Sequence, residues 1–470
     1  MPNTAGTAVI LPSETQSREF DAKLLLACAL AERGRQVFVG SRIAIHAAMH
    51  RFPRSIYVAK DFRKPSNRIF RIMHDLGHHI VAWDEEAVLF YNAREFHERR
   101  VHEPTFRMVE ELFAWGPQNG EFLRSAPGYD EGVPVHLLGN PRIDMLRPEL
   151  RRYYDEDVAS LHRRHGRMIL INTNFGKLNH AVSKYVVRPG GKDLSVGGTI
   201  TPFMQQAWEH RLRIFESMKA LVPFLAQNFR DHTIIVRPHP AENHETWKQA
   251  AAGHDNVRVI HDGPVQTWLL AADAMIHNGC TTGIEAYLLD APTISFQPFD
   301  GRQFDFNLSN DLGIKAVTPD DVAETIRRIG QLKTDSTPEE KIATLGHYFS
   351  GLAGPLASDG MAAVIDRRAA LYDGEQKPAL QRRASAQIHS RLRALHKRLA
   401  SHIPDHKNSR AYNEQRFAGI TAEQVNDRIG RLRDMLGRFD KIKAAHYGDN
   451  ICVVSSLGSS LPSPFIKKNQ

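Results

Sequence analysis

Short apolar runs and stretches of helical periodicity take turns along the first third of the chain. Residues 8–11 are an apolar run too short for a helix, followed by the polar loop PSETQS. Over 18–33 the apolar positions Phe20, Leu24, Ala27, Cys28 and Ala31 fall at helical spacing, which predicts a helix, and Gly34 supplies its stop. Further strands are expected at 36–40, 55–58 and 79–83. Leu137 and Leu138 running into Gly139-Asn140-Pro141 read as a strand and then a turn. The charged stretch 147–167 interrupts the pattern and reads as an interdomain helix and linker. Beyond it the alternation restarts, with strands at 168–172, 233–237, 257–260, 274–277 and 293–296 and helices at 203–228, 265–271 and 282–289.

Strands alternating with helices form parallel sheets covered on both faces. The expected fold class is therefore α/β, with two Rossmann-like domains in series, 1–150 and 151–350, facing a cleft in the GT-B manner. Near 376 the composition shifts: sixteen basic residues stand against six acidic ones between Lys377 and Lys443, a bias that sets this region apart. Ile388, Leu392, Leu395 and Leu399 recur at 4-3-4 spacing, and so do Val425, Ile429, Leu432 and Leu436. Thr421 with Gln424 makes a capping box for the second helix. A basic helical hairpin is expected over 375–445, turning through a loop with Pro404. It would pack on itself or on the body, or serve oligomerisation or a membrane surface. Residues 446–470 are expected to be a flexible tail.

Bulk properties narrow the setting. No run of about 18 apolar residues predicts a membrane-spanning helix, and the first residues lack the pattern of a signal peptide. Cys28, Cys280 and Cys452 are far apart with no CxxC pair, which argues against a disulfide framework or structural zinc and for a reducing cytoplasm. A formal charge of +8 points to anionic partners: nucleotides, acidic glycans, anionic membrane or nucleic acid.

In open α/β sheets ligands bind beyond the carboxyl ends of the strands, so the loops there carry the candidate chemistry. Arg237-Pro238-His239-Pro240 follows an apolar strand. The prolines fix the backbone, leaving a guanidinium and an imidazole to donate to a phosphate or sugar carboxylate. Asn278-Gly279-Cys280-Thr281-Thr282-Gly283 starts a helix with glycines and small hydroxyls, suited to an anion, and Glu285 one turn inside can accept from ribose hydroxyls. Asn172 and Asn174 suit sugar or base contacts, or a simple turn. Asp84-Glu85-Glu86 are adjoining acids at a strand end, either a general base for an acceptor hydroxyl or a solvated helix start. Glu14 is a reserve catalytic acid, with Arg18 close behind as a sugar contact. His74 and His78 are four apart, but Gly77 intervenes and no third ligand is evident, so no metal is expected.

The series SETQSREFDAKLLLACALAERG, DEEA, FAWGPQNGEFL, GNPRIDML, INTNFG, RPHP and HNGCTTGIEAYLLDAP, over about 8–320, resembles the bacterial surface carbohydrate biosynthesis family. That family is related to GT-B transferases of CMP-activated acidic sugars, including capsule Kdo transferases and bacterial sialyltransferases. The resemblance implies that Asp84 and Glu85 match an acidic pair supplying the base, His239 and Pro240 an HP motif, and Thr281 and Thr282 a hydroxyl pair holding the CMP. Glu86 stands where the sialyltransferase motif has glycine.

The expected activity is metal-independent, inverting transfer of a Kdo- or nonulosonate-type sugar from a CMP-linked donor to a surface glycan or lipid-linked glycan. No cofactor is expected beyond the donor substrate. A UDP-sugar epimerase or CDP-glycerol-type transferase is the alternative within the fold. A basic membrane- or nucleic-acid-binding protein is the alternative outside it. The partners expected are a nucleotide sugar and its acceptor, with anionic membrane on the inner face and a second copy of the chain as candidates for the basic helices.

Overall fold

The structure, a computed structural model, describes residues 6–88, 90, 92–182, 186, 201–332, 335–373, 375, 378–403 and 409–458. The early apolar runs become parallel neighbours in one sheet. Its strands are β1 (Ala8–Ser13), β2 (Val37–Ser41), β3 (Ser55–Ala59), β4 (His79–Ala82), β5 (Glu111–Phe113) and β6 (Val135–His136), in the order β2-β1-β3-β4-β5-β6. Every residue of β1, β2 and β3 is buried. Continuous burial is what a parallel sheet covered on both faces requires. The helix Gln16–Glu32 puts Phe20, Leu24, Leu25 and Cys28 into this core.

The second sheet contains β7 (Met168–Asn172), β8 (Thr233–Arg237), β9 (Val257–Val259), β10 (Ala274–His277), β11 (Thr293–Phe296) and β12 (Ile314–Ala316). It is parallel throughout, in the order β12-β11-β10-β7-β8-β9. The helix Pro202–Asn228 covers one part of it, packing Ile214, Met218, Leu221 and Leu225 against Ile169, Ile171 and Ile234. The chain is thus α/β with two Rossmann-like units, as the GT-B expectation has it. The first unit runs to Tyr153 and the second from Tyr154 to Thr337.

The chain ends differently from expectation. From Pro338 the described residues rejoin the first unit rather than forming a separate extension. The buried Asp144 carboxylate accepts the backbone N–H groups of Ala357 and Ser358, each at 2.8 Å, and so caps the helix Ala357–Tyr372 from a distant part of the chain. The helix Ala422–Leu436 buries Val425, Ile429 and Leu432, and Arg428 pairs with Asp21 of the first long helix.

The flexible tail expected from 446 starts instead inside a strand. β13 (Ile442–Gly448) and β14 (Ile451–Ser456) form an antiparallel hairpin, and β14 pairs antiparallel with β2 at the sheet edge. A Cβ at Gly40 would lie 2.1 Å from the Asn450 carbonyl oxygen, so glycine there lets the hairpin close on the sheet. Pro404 and residues 459–470 lie outside the described residues. No described helix is long and apolar enough to cross a membrane.

Candidate functional site

Strand order decides where each sheet can open to a ligand. In the second sheet the chain runs β7 to β8 to β9 in one direction and resumes at β10 on the other side of β7. The point between β7 and β10 is therefore a topological switch point, the place where open α/β sheets bind their ligands. Asn172 and Asn174 come from one side of it, and the 278–283 segment from the other. Asn172 Nδ2 donates to Thr282 Oγ1 at 2.7 Å, and Asn174 Nδ2 donates to the Gly279 carbonyl at 2.9 Å. The two sequence-predicted segments are hydrogen-bonded to each other.

The turn between β10 and its helix is fixed from several sides. Asn278 Nδ2 donates to the Phe296 carbonyl at 2.9 Å, and the Gly279 N–H donates to Asn310 Oδ1 at 2.7 Å. Gly279 takes a φ of 55°, in the left-handed region that glycine adopts without strain. Cys280 is the N-cap, with an extended backbone, and Thr281 is the first residue of the helix Thr281–Leu288. Burial raises the Cys280 thiol pKa. Gly283 has a packing reason: a Cβ there would sit 2.5 Å from Ser309 Oγ and 2.6 Å from the His277 ring. Glu285 is buried and accepts from Gln266 Nε2 at 2.8 Å.

Sequence reasoning missed the arginine at the centre of this arrangement. Arg211, on the helix Pro202–Asn228, donates from Nη1 to Asn278 Oδ1 at 2.7 Å and from Nη2 to Asn174 Oδ1. Its guanidinium lies over the Phe175 ring, 4.5 Å from the centroid. Burial lowers its pKa, while Asp305 acts in the opposite sense through space. Asp305 itself is taken by His210, 3.1 Å away. Among the described residues Arg211 has no carboxylate in ion-pair range. It is a part-buried cation held by two neutral amides at the mouth of a switch point.

The loop after β8 is tied to the same place by a second missed residue. The Glu242 carboxylate is fully buried and accepts from Thr173 Oγ1 (2.8 Å), the Phe175 N–H (3.0 Å), the His239 N–H (3.0 Å) and Trp247 Nε1 (2.9 Å). It fastens the β7 loop to the RPHP loop. Desolvation raises its pKa against the pull of these four donors. His239 Nδ1 accepts from the Ala241 N–H at 3.1 Å, so the neutral ring carries its proton on Nε2. Pro240 follows in the turn.

Arg237 was expected to meet a phosphate. Its guanidinium instead donates to the Asp262 and Gly263 carbonyls at 2.8 and 2.7 Å, pinning the loop beyond β9, and burial pushes its pKa down to about 10.

In the first sheet the order reverses between β1 and β3. Glu14 follows β1 and Lys60 follows β3, and their side chains are ion-paired. Arg42, after β2, and Arg416 also hold Glu14, at 2.8 and 2.7 Å. The acidic triplet after β4 is adjacent, since the Glu85 N–H donates to the Lys60 carbonyl at 3.1 Å.

The three acids have different fates. Asp84 is buried and bidentate with Arg100, at 2.8 and 2.6 Å. Burial raises its pKa and Arg100 opposes the rise. Glu85, whose side chain is 1% exposed, meets Lys23 Nζ at 2.9 Å and Arg142 at 4.0 Å. Burial works against its charge, but Lys23 and Arg142 overcome it and hold the carboxyl near 2. Lys23 also bonds Glu19 and the Pro12 carbonyl, joining β1, its helix and the β4 loop. Glu86 is 47% exposed and is held near 2 by Arg100 at 2.7 Å and Arg18 at 3.8 Å, again in opposition to burial. Asp84 and Glu85 thus organise the loop, and Glu86 is the member of the triplet that reaches solvent.

No family model and no curated protein matches the sequence. Among solved structures, the chain is similar to the wall teichoic acid polymerase TagF, as its H548A variant, with 13% identity, a TM-score of 0.43, and 68% of this chain and 74% of that one covered. It is also similar to a UDP-GlcNAc 2-epimerase of Methanocaldococcus jannaschii, with 11% identity, a TM-score of 0.48, and 77% and 99% covered. A putative UDP-N-acetylglucosamine 2-epimerase from Listeria monocytogenes gives 13% identity, a TM-score of 0.44, and 80% and 98% covered.

Proposed function

We propose that the chain is a glycosyltransferase whose second unit holds a nucleotide-activated sugar at the β7/β10 switch point. The observation that carries this reading is Arg211, a part-buried guanidinium with no carboxylate partner among the described residues, aimed by Asn174 and Asn278 at the start of a helix. A guanidinium bonded to neutral amides beside a helix N-terminus is suited to a phosphate. Arg211, Thr281, Thr282 and the Nε2–H of His239 would stabilise the charge of the departing phosphate, so the chemistry asks for no metal ion. Glu285 would accept from the ribose.

To the first unit we assign the acceptor. Glu14 at its switch point and Glu86 at the solvent edge are the carboxylates, one of which would take the proton of the acceptor hydroxyl as its oxygen attacks the anomeric carbon and the nucleotide phosphate leaves, with Arg18 beside them. The donor we favour is CMP-linked Kdo or a nonulosonate, transferred with inversion to a surface glycan, as the family resemblance implies.

Thermal-shift titration of the full chain with CMP, CDP, UDP and GDP tests the donor, because a ligand stabilises the fold in proportion to its affinity. CMP should give the largest shift, and His239→Ala should weaken it sharply in calorimetry. Preference for UDP with free-sugar or epimerised product would point to an epimerase. Preference for CDP with transfer of glycerol phosphate would point to that transferase. The absence of any nucleotide-dependent shift would remove the enzyme reading altogether.

A further inference from the structure

The helix Leu380–Ala400 is turned the wrong way for a helix of a water-soluble surface. At 100° per residue, Ala386, Ser390 and Ala400 share one face, while Ile388, Leu392, Leu395 and Leu399 share the opposite one. The small residues are the buried ones. His50 bonds Ser390 at 3.1 Å, and Arg382 pairs with Asp75 at 2.9 Å, which fixes the inward face. The large aliphatic side chains point outward, with Ile388 and Leu392 57% exposed, Leu395 54% and Leu399 64%. Ile403, just beyond the helix, continues the stripe at 53%. A contiguous apolar ridge of this kind marks an interaction surface.

Charge identifies the partner. The helix carries Arg382, Arg383, Arg391, Arg393, Lys397 and Arg398 and no acidic residue. Arg391 and Arg398 are exposed along one margin of the ridge, and the exposed His389 and His396 flank the other. A second copy of the chain packing ridge to ridge would bring cations against cations, without the acids that coiled coils place beside their seam. An anionic bilayer answers both features at once. Its acyl boundary takes the leucines and its headgroups take the arginines, with the helix lying in the plane of the interface. We propose that the helix Leu380–Ala400 docks the chain flat on an anionic membrane surface through Ile388, Leu392, Leu395, Leu399 and Ile403.

The test uses the full chain and vesicles of phosphatidylcholine with about 30% phosphatidylglycerol, with pure phosphatidylcholine as control. Binding is read by flotation and the oligomeric state by light scattering. The wild type should float with anionic vesicles, much less with neutral ones, and should release at 0.5 M salt. Leu392→Glu with Leu395→Glu should lower the bound fraction at least about tenfold. Leu392→Gln with Leu395→Gln, which removes the ridge without adding charge, should lower it less steeply but clearly. These sites are exposed, so the variants should keep the wild-type melting temperature. Wild-type binding that survives both double variants, or equal binding to neutral vesicles, overturns the proposal. No vesicle binding at all also overturns it, as does a dimer that the same variants dissolve; the latter would assign the ridge to a second copy of the chain.

Discussion

Replacing Arg211 with methionine keeps the aliphatic stem and removes the guanidinium, which separates a phosphate-binding role from a scaffolding one. Two charge-assisted hydrogen bonds, to Asn278 and Asn174, are lost. Asn278 is buried and keeps its bond to the Phe296 carbonyl, so the main structural cost is one buried amide oxygen left without a donor. Burial already works against the arginine's charge, and removing the cation relieves that penalty. The net effect on the unliganded protein should be a loss of about 1–2 kcal/mol. That is a fall in melting temperature of roughly 2–8 °C. A guanidinium–phosphate contact is worth about 1.5–3 kcal/mol, so nucleotide affinity should drop roughly 10- to 100-fold. Calorimetry with the best nucleotide of the panel, beside thermal melts of the unliganded variant, reads both numbers. Arg211→Lys should recover part of the affinity, since it restores the charge without the fork. Affinity within about twofold of wild type in the methionine variant would refute the assignment. So would a collapse in stability in which the folded fraction still binds normally, which would make Arg211 a strut.

Glu242→Gln sets an amide N–H₂ against at least one of the four donors that now meet a carboxylate, so it should cost about 1–3 kcal/mol by denaturant titration and loosen the RPHP loop. Gly283→Ala drives a methyl to within 2.6 Å of Ser309 Oγ and the His277 ring, and should destabilise by about 1–3 kcal/mol, visible as a lower melting temperature. Lys23→Met leaves Glu19 and Glu85 buried without their shared cation. The expected loss is about 3–5 kcal/mol, to be checked by chemical denaturation at neutral pH. Glu85 and Glu86 are both held near 2, below the ordinary 4.5, so their contribution to stability is complete above about pH 4.5 and should fade as the pH drops toward 2. Melting curves across that range should show the loss, and Glu85→Gln should reduce it, leaving the part that belongs to Glu86.

Much of the second unit was legible because its elements are local. The strands Met168–Asn172, Thr233–Arg237 and Ala274–His277 are apolar runs of strand length between turn residues, and they stand where the pattern put them. β12 escaped because Ile-Lys-Ala is too short and too mixed to show a period. In the first unit, Val135-His136 rather than Leu137-Leu138 makes the strand, since pairing with β5 sets the register and Leu137 is left exposed. The loops that form the candidate site were readable as strand ends rich in glycine, asparagine and threonine. Arg211 was not, because in WEHRLR an arginine that reaches a crevice has the same spacing as one on a solvated face. Glu242 carried a fainter signal, an acid three residues after His239 in a loop crowded with backbone donors.

The C-terminal region shows why periodicity alone misassigns a helix. Ile388, Leu392, Leu395 and Leu399 have the spacing of a buried seam, and so do Val425, Ile429 and Leu432, yet the first set faces outward and the second is buried. The difference lies in the opposite face. In Ala422–Leu436 the residues across from the seam include Glu423, Asp427 and Asp434, which water solvates, so the apolar side must turn inward. In Leu380–Ala400 they include Ala386, Ser390 and Ala400, small enough for close approach to a neighbouring helix, and the helix turns over. A helix of this composition can satisfy its protein neighbours with the small face and still keep a large apolar surface. Whether such a surface is a flaw or a device depends on what borders it, and a border of arginine and histidine with no acid favours an anionic interface over a second copy of itself.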